Sequence, residues 1–375
     1  MRFELTADQR LLQTATADYL EKSAPLGVIR ALHDEGRTFD RVTWQRGAEL
    51  GWTSLVVPEE TGGGSVSGEG VVDATLIAEQ FGRGCAPGPL AAVNVVAAAL
   101  AEAAGADRHA GLLGRLLDGS MVAAWACCAP GGGWDPEAGA IEARPDGDGY
   151  VLDGTHDGVE HGGDADAFLV LARTPEGLSQ FVVERDADGV SVLPLESLDM
   201  VRGFARVDYT GVRVPATALV GAAGGAVAAV ERQFQLAVVL QCAELVGVVE
   251  RVLEFTRQWM FDRYSFGRPL ASYQELKHRM ADMTLWSESG QATMAAAARA
   301  VQERRADAGE LVSVAKSYLG QRATDIIQDC VQLHGGLGVT WEHDIHIYLR
   351  RATVNRLMWG TPSAHRRRIA DLLNV

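Results

Sequence analysis

Apolar residues recur at helical spacing through the first 120 residues, for example in LLQTATADYLEK and VVDATLIAEQFGRG. Apolar positions three and four residues apart form one face of a helix that packs against a core. The stretch VPEETGGGSVSG interrupts this pattern, and its Pro, Gly and Ser content predicts a loop. We therefore predict a helical N-terminal domain over residues 1–120.

The pattern changes after residue 120. Short β-branched runs separated by Gly, Asp and Pro, such as AFLVLART, LSQFVVER and ARVDYTGVRVP, are typical of an antiparallel barrel or sandwich. Helical spacing returns from residue 225 in long segments, followed by a last helix that we expect to begin after Thr361, an N-cap residue that precedes Pro362. The long segments lie near residues 226–262, 270–304, 308–336 and 343–358.

These regions predict an α+β multi-domain chain. It consists of the N-terminal helical domain, a middle antiparallel β-barrel or sandwich domain over residues 121–222, and a C-terminal four-helix bundle over residues 223–375. Alternating helical and all-β regions of this length are expected to pack as separate layers around their own cores.

Charge and cysteine content narrow the classes of function. The net charge of −15 argues against general binding of nucleic acid or of anionic membranes. The five cysteines show no CxxC spacing and indicate neither a metal site nor a disulfide framework. The sequence has no run of 18 apolar residues that would predict a membrane span, and its N-terminal segment does not resemble a secretion signal. We expect a cytoplasmic globular protein without a metal.

Two stretches carry the candidate chemistry. In DRYSFGRPLASYQELKHRMADM (262–283), Arg263, Phe266 and Gln274 lie in or near a loop that opens a helix predicted to begin near Ala271. A fixed guanidinium there can bind phosphate through two hydrogen bonds, although an ordinary helix–loop–helix with a solvated arginine has the same pattern. The second stretch, QLHGGLG, places two glycines after Gln332, where the backbone can approach a ligand closely.

In this order and spacing the two stretches resemble the acyl-CoA dehydrogenase family, as do ELGWTSLVVPEETGG, GYVLDGT and GVRVPATALVG. The resemblance covers essentially the whole chain. It implies a flavoprotein tetramer that binds FAD, removes a proton from Cα of an acyl-CoA thioester, transfers a hydride from Cβ to the flavin, and passes electrons to an electron-transferring flavoprotein. In this family, one chain holds the flavin ring and a neighbouring chain holds the adenosine diphosphate part.

The resemblance implies that this chain keeps the family's residues in one half of the FAD site and lacks them in the other. The half offered to a neighbour is intact, and Thr361 at the last helix N-terminus offers a further polar contact. The intact residues are Arg263, Phe266, Gln274, Gln332, Gly335 and Gly336.

The chain's own flavin pocket departs from the family pattern. Where the family has Thr and Ser of a Thr-Glu-Pro-Gly-x-Gly-Ser-Asp stretch, this chain has Cys128 and Trp134, and a thiol is a poor hydrogen-bond donor. Where the family has Trp-Ile-Thr-Asn, this chain reads GVEH, with Gly158 in place of Trp and Glu160 in place of Thr. Compensating contacts elsewhere remain the alternative to a lost flavin pocket.

Both family positions for the catalytic base hold residues that accept no proton. Trp359 stands immediately before Gly-Thr, 27 positions after Gln332, where most members have glutamate. Ala237, 26 residues before Arg263, occupies the other base position. Glu244 lies two helical turns beyond Ala237 and is interpreted as a helix-surface carboxylate or interface ion pair. His334 and His365 are interpreted as packing or hydrogen-bonding residues.

The pattern therefore resembles the non-catalytic chain of actinobacterial α2β2 acyl-CoA dehydrogenases that degrade sterol side chains. The resemblance implies a homologous catalytic partner chain, a shared FAD, and a bulky or steroid side-chain CoA substrate. Two alternatives stay open: a homo-oligomeric flavoprotein with different chemistry, and a scaffold subunit without flavin.

Overall fold

The computed structural model describes residues 4–103, 105–131 and 134–374, and within them it confirms the predicted sequence of a helical region, a β region and a second helical region. The outermost residues of the first and last predicted domains, 1–3 and 375, lie outside the described residues. The helices of the N-terminal region are α1 Ala7–Ser23, α2 Leu26–Asp34, α3 Arg41–Glu49, α4 Gly70–Gly84, α5 Leu90–Glu102 and α6 Ala110–Leu117.

The middle region forms an eight-stranded sheet with the order β6-β7-β3-β2-β4-β5-β8, in which β1 also pairs with β4. The sheet is mixed, since β1 and β2 run parallel to β4 while the other pairs are antiparallel. The elements are β1 Ala123–Ala126, α7 Pro136–Gly139, β2 Ile141–Asp146, β3 Gly149–Glu160, β4 Ala167–Thr174, β5 Gly177–Glu184, β6 Val190–Leu195, β7 Phe204–Pro215 and β8 Leu219–Val220.

Strand β4 lies where two hydrophobic cores meet. Phe168 and Val170 pack into the core of the middle region, while the alternate residues Leu169 and Leu171 join the core shared with the helices. Because successive side chains of a strand point to opposite faces, a strand buried on both faces has a continuous apolar run. This arrangement explains the uninterrupted AFLVLA segment.

The C-terminal region contains the long helices at nearly the predicted bounds. Its elements are α8 Val227–Asp262, β9 Tyr264–Ser265, β10 Arg268–Pro269, α9 Gln274–Gln302, α10 Ala308–His334, α11 Ile345–Leu357 and α12 Pro362–Leu373. Helix α9 begins at Gln274 rather than near Ala271, because residues 270–272 form a short 3-10 turn.

Helices α4 and α8 join the N-terminal region to the bundle through two glycines. A Cβ atom on Gly82 would lie 1.9 Å from the Glu244 carbonyl oxygen, and one on Gly247 would lie 1.9 Å from the Glu79 carbonyl oxygen. Only glycine permits such a close approach of two helix backbones. The contact fixes α8 against the N-terminal helices at the level of Glu244.

Candidate functional site

The turn between α11 and α12 places Trp359, which is partly buried, against the large hydrophobic core. Trp359 has a φ of +57°, an uncommon left-handed conformation for a residue other than glycine, and Gly360 follows with a φ of +101°. The Thr361 hydroxyl accepts a hydrogen bond from the Ala364 amide at 3.2 Å, which confirms the predicted N-cap. The turn therefore ends in a capped helix and holds the indole on its inner side.

The Trp359 ring belongs to an aromatic cluster formed by Trp125, Trp134, Phe234, Trp359 and His365. Trp359 stacks on Trp125 at 5.2 Å between ring centroids and meets Trp134 edge-on at 5.9 Å. Trp134 stacks on Phe234 at 4.2 Å, and Phe234 stacks on His365 at 5.9 Å. The cluster joins β1, the loop after it, and helices α8 and α12, so rings fill the space where these elements meet.

A cavity of about 20 Å³ remains beside this cluster, lined by Glu160, Gln241 and Trp359 among others. Such a volume holds about one water molecule, whereas cofactor pockets measure about 300–1,000 Å³. Therefore the described side chains that face this cavity do not fit a flavin ring.

The other substituted flavin positions, Cys128, Trp134 and Gly158, do not line this cavity. Gly158 is exposed, and a Cβ atom there would meet no described atom within 4 Å. The Cys128 thiol lies 3.9 Å from the thiol of Cys127. Gly132 and Gly133 of the CAPGGGWD stretch lie outside the described residues.

Buried ion pairs also line the small cavity. Arg202 contacts Glu160 at 3.0 Å and Glu244 at 2.7 Å. Arg351 contacts the other oxygen of Glu244 at 2.6 Å and also pairs with Asp199. These five side chains, which we call the ion network, are nearly inaccessible to solvent and come from the middle and C-terminal regions. The guanidinium of Arg351 also donates to backbone carbonyls of the N-terminal region, so the network ties all three regions together.

Glu244 is therefore a buried, doubly paired carboxylate. Of its two interpretations, the helix-surface carboxylate is wrong because the side chain is buried, and the ion pair between packed regions is the one that the structure contains. Burial raises the pKa of its carboxyl, but the guanidinium groups of Arg202 and Arg351 together bring that pKa below its ordinary value. A carboxylate held ionised by two hydrogen-bonded cations is a poor proton acceptor. Ala237, two turns earlier, is fully buried in the core.

Helix α10 extends this network with a buried lysine. The Lys316 ammonium donates to the Gln241 side chain and to the Asn355 carbonyl, while the Asn355 amide donates to Glu244 at 3.0 Å. Burial lowers the pKa of Lys316 to about 7.

Sequence reasoning missed Asp199, Arg202, Arg351 and Lys316. A detectable signal was a charged residue within an apolar helical run, as Glu244 is in VVLQCAELVGVV, since such a charge needs a partner when it is buried.

His334 and His365 act as interpreted. The His365 ring meets the Trp359 carbonyl oxygen at 2.9 Å, and the His334 ring meets the Cys330 carbonyl oxygen at 2.8 Å. Burial lowers the pKa of His365 to about 4, so its ring is neutral and donates to that carbonyl. Both side chains are packed among other rings.

The residues predicted to serve a neighbouring chain lie at one end of the bundle. Helix α8 ends there, α9 begins there, and α10 ends there, because the three helices run antiparallel in sequence order. Arg263 is exposed directly after α8, and Gln274 is the exposed first residue of α9. Between them, Phe266 lies in the two-residue turn of the β9–β10 hairpin with a φ of +49° and 97% of its surface exposed.

The end of α10 completes this half-site. Gln332, Gly335 and Gly336 are exposed, and Gly335 caps the helix with a φ of +62°. Cβ atoms on the two glycines would meet no described atom within 4 Å, so the backbone is open to a ligand. Guanidinium, amide and open backbone groups suit a pyrophosphate, and an exposed ring suits an adenosine. These residues therefore fit the adenosine diphosphate part of FAD.

A larger cleft of about 860 Å³ opens elsewhere, between the loop after α3, the end of α5 and the start of α8. Gln180 and Gln233 form its floor and hydrogen-bond each other through both amide groups, at 2.7 and 2.9 Å. Arg232 and Arg304 both pair with Glu102 at its rim. Among the described residues, this cleft shares no lining side chain with the 20 Å³ cavity.

Within residues 4–103, 105–131 and 134–374, no helix is long and apolar enough to cross a lipid bilayer. The same residues contain no group of three or more His, Cys, Asp or Glu side chains arranged to hold a metal ion.

Comparison with known proteins relates the chain to flavin-dependent enzymes along its whole length. It is 28% identical to the acyl-CoA dehydrogenase IpdE2 of Mycobacterium tuberculosis, with 96% of each chain covered. Its fold is similar to that of a chain in the ChsE4-ChsE5 complex from Mycobacterium tuberculosis, with a TM-score of 0.89 and 27% identity. The match covers 100% of this chain and 99% of the matched chain. It is also similar to a chain in a variant of the Tcur3481-Tcur3483 steroid ACAD, with a TM-score of 0.87 and 28% identity. This match covers 98% of this chain and 97% of the matched chain.

Models of the N-terminal, middle and C-terminal domains of acyl-CoA dehydrogenase match residues 6–120, 124–207 and 224–373. The members are FAD-dependent oxidoreductases that act on a CH–CH bond of an acyl-CoA. The chain belongs to the acyl-CoA dehydrogenase family.

Proposed function

We propose that this chain is the non-catalytic subunit of a heteromeric acyl-CoA dehydrogenase. In an α2β2 assembly it completes the FAD site of a homologous catalytic chain, which supplies the base and the flavin ring pocket. The observation that carries the proposal is the contrast between the two halves of the site. Aromatic rings fill the chain's own pocket around Trp359, whereas Arg263, Phe266, Gln274, Gln332, Gly335 and Gly336 remain exposed at the end of the bundle.

Each half supports the proposal by a separate physical argument. Loss of a positioned base costs about 10²–10⁴ in rate, and neither Trp359 nor Ala237 accepts a proton. When bound, FAD supplies the hydride acceptor. The exposed residues contribute binding: Arg263 offers charge-assisted hydrogen bonds to pyrophosphate, each worth about 1.5–3 kcal/mol.

The names of two similar structures support the proposed substrate class. One similar structure is named a steroid ACAD, and another is a complex of two differently named chains, ChsE4 and ChsE5. We therefore propose a bulky acyl-CoA thioester of steroid type as the substrate of the assembly, with an electron-transferring flavoprotein as electron acceptor.

The proposal is tested by purifying the chain alone and together with a catalytic partner. The chain alone should be colourless and should oxidise no acyl-CoA with an artificial electron acceptor, whereas the complex should be yellow and active. Robust turnover by the chain alone would refute the proposal. Yellow colour without the partner would favour a homo-oligomeric flavoprotein, and a colourless complex would favour a scaffold without flavin.

Arg263→Ala in the co-purified complex tests the shared site directly. Loss of the guanidinium should weaken FAD binding by about ten- to a hundredfold, because it removes a charge-assisted hydrogen bond to the pyrophosphate. Arg322→Ala is the matched control, since Arg322 also lies over a tryptophan, Trp286, but farther along the bundle. Equal flavin content in all three complexes would contradict the shared-site model.

A further inference from the structure

Trp259, in the last turn of α8, contacts both parts of the exposed half-site. The Arg263 guanidinium lies over its ring, 5.8 Å from the ring centroid. The indole N–H donates to the Leu333 carbonyl oxygen at 3.2 Å, and the ring stacks on His334 at 5.4 Å with an interplanar angle of 19°. One side chain therefore links the end of α8 to the end of α10.

Both contacts restrict groups that would otherwise be free to move. An arginine side chain has many rotamers, and a cation–π contact with an indole limits them before a ligand arrives. The Leu333 carbonyl is among the last four of α10, which lack partners within the helix. The indole N–H supplies that partner directly before Gly335, whose amide closes the helix by bonding to the Gln332 carbonyl.

A layer of rings packs beneath Trp259. His334 is 4% exposed, and its ring meets the Cys330 carbonyl oxygen at 2.8 Å. Phe255 packs edge-on against His334 at 5.8 Å, and His343 lies 4.5 Å from His334. These rings support the indole from the bundle side.

We infer that Trp259 is a positioning residue for the FAD half-site. It holds the Arg263 guanidinium and the turn from Leu333 to Gly335 at a fixed spacing, so that the pyrophosphate and the adenosine of a partner's FAD meet groups already in place. Ordering before binding increases affinity because less conformational entropy is lost when the ligand arrives. This inference rests on the proposed function.

The test uses the complex with the catalytic partner, stripped of flavin and titrated with FAD. Trp259→Leu removes the ring and the N–H and should weaken FAD binding about three- to tenfold, while turnover per bound flavin stays unchanged. Trp259→Phe keeps a ring beneath Arg263 and should recover part of that loss. Trp286→Leu, which removes an indole 4.5 Å beneath Arg322, is the matched control and should leave FAD affinity unchanged.

A double variant separates this role from general stability. If Trp259 acts partly through Arg263, then Arg263→Ala should cause a smaller loss of FAD affinity in the Trp259→Leu background than in the wild type. Two results would overturn the inference. The first is wild-type FAD affinity in Trp259→Leu. The second is a double variant whose loss of FAD affinity equals the product of the two single losses, together with no recovery of affinity in Trp259→Phe. If Trp259→Leu fails to assemble, Trp259→Phe decides, because loss of the N–H alone should still weaken FAD binding measurably.

The outcomes also distinguish this inference from the proposed function. Unchanged FAD affinity in Arg263→Ala would refute the shared site itself. Weaker FAD binding in Arg263→Ala together with wild-type affinity in both Trp259 variants would leave the shared site standing and reject only the positioning role.

Discussion

Replacing Trp359 by glutamate restores a carboxylate at the family's base position, yet we expect no acyl-CoA oxidation. Catalysis needs a base and a hydride acceptor held on the substrate at near-attack distance. The variant would gain the base, but Trp125 and Trp134 would still fill the space beside it. A base without an acceptor exchanges at most the α-proton.

The same substitution should destabilise the fold. Trp359 makes two ring contacts, with Trp125 and Trp134, each worth about 0.5–1.5 kcal/mol beyond buried area. The new carboxylate would also face the small cavity, whose acids Glu160 and Glu244 are already paired with arginines that line the same cavity. Since burial disfavours the ionised carboxylate and two ring contacts are lost, we expect a loss of about 2–4 kcal/mol in the free energy of unfolding.

Urea unfolding and steady-state turnover of Trp359→Glu, measured beside Trp359→Gln and wild type, check both parts. The glutamine variant has nearly the same shape without the charge, so it should be more stable than the glutamate variant at pH 7. Trp359→Phe, which keeps a ring, should lose least. A stable Trp359→Glu chain that oxidises an acyl-CoA would refute the reasoning, because it would show that the flavin pocket was intact and lacked only its base.

Two further predictions concern buried charge. Glu244→Gln should lower the free energy of unfolding by about 3–5 kcal/mol, because it leaves Arg202 and Arg351 with too few buried carboxylates; a loss below about 1 kcal/mol in urea unfolding would contradict the ion network. Burial lowers the pKa of His365 to about 4, whereas an unfolded histidine titrates near 6.5, so the unfolded chain binds a proton first and stability should fall as pH drops from about 6.5 towards 4. His365→Gln should flatten that pH dependence in thermal melts, and an unchanged slope would show that the ring is not buried neutral.

Structural features that depend on one local sequence pattern could be predicted. The α8 and α10 bounds follow from helical spacing, and the Thr361 cap follows from two adjacent residues. The mixed sheet could not be predicted, because alternation along β4 shows which residues are buried but not the direction of the neighbouring strand.

The ion network could not be predicted from the sequence either. Arg351 and Asp199 are 152 positions apart, and nothing local to either residue identifies the other as its partner. Glu244 was placed on the right helix and near the base position, but its orientation depends on the glycine contact between α4 and α8. Local patterns thus predicted which elements form, while the burial of individual charges depended on how those elements pack.

The residues that differ from the family pattern around the small cavity depend on one another, which explains why we expect no single reversion to give acyl-CoA oxidation. Glu160 replaces a flavin-contacting position of the family, and it is tolerated because Arg202 neutralises it. Arg202 in turn shares Glu244 with Arg351. Removing Glu160 or Glu244 therefore leaves a buried arginine without one of its paired carboxylates. Trp359 lines the same cavity and packs against two other rings, Trp125 and Trp134. A flavin ring at this cavity would require the rings and the charges to be replaced together, and under the proposed function the chain contributes to catalysis through the half-site at the end of the bundle.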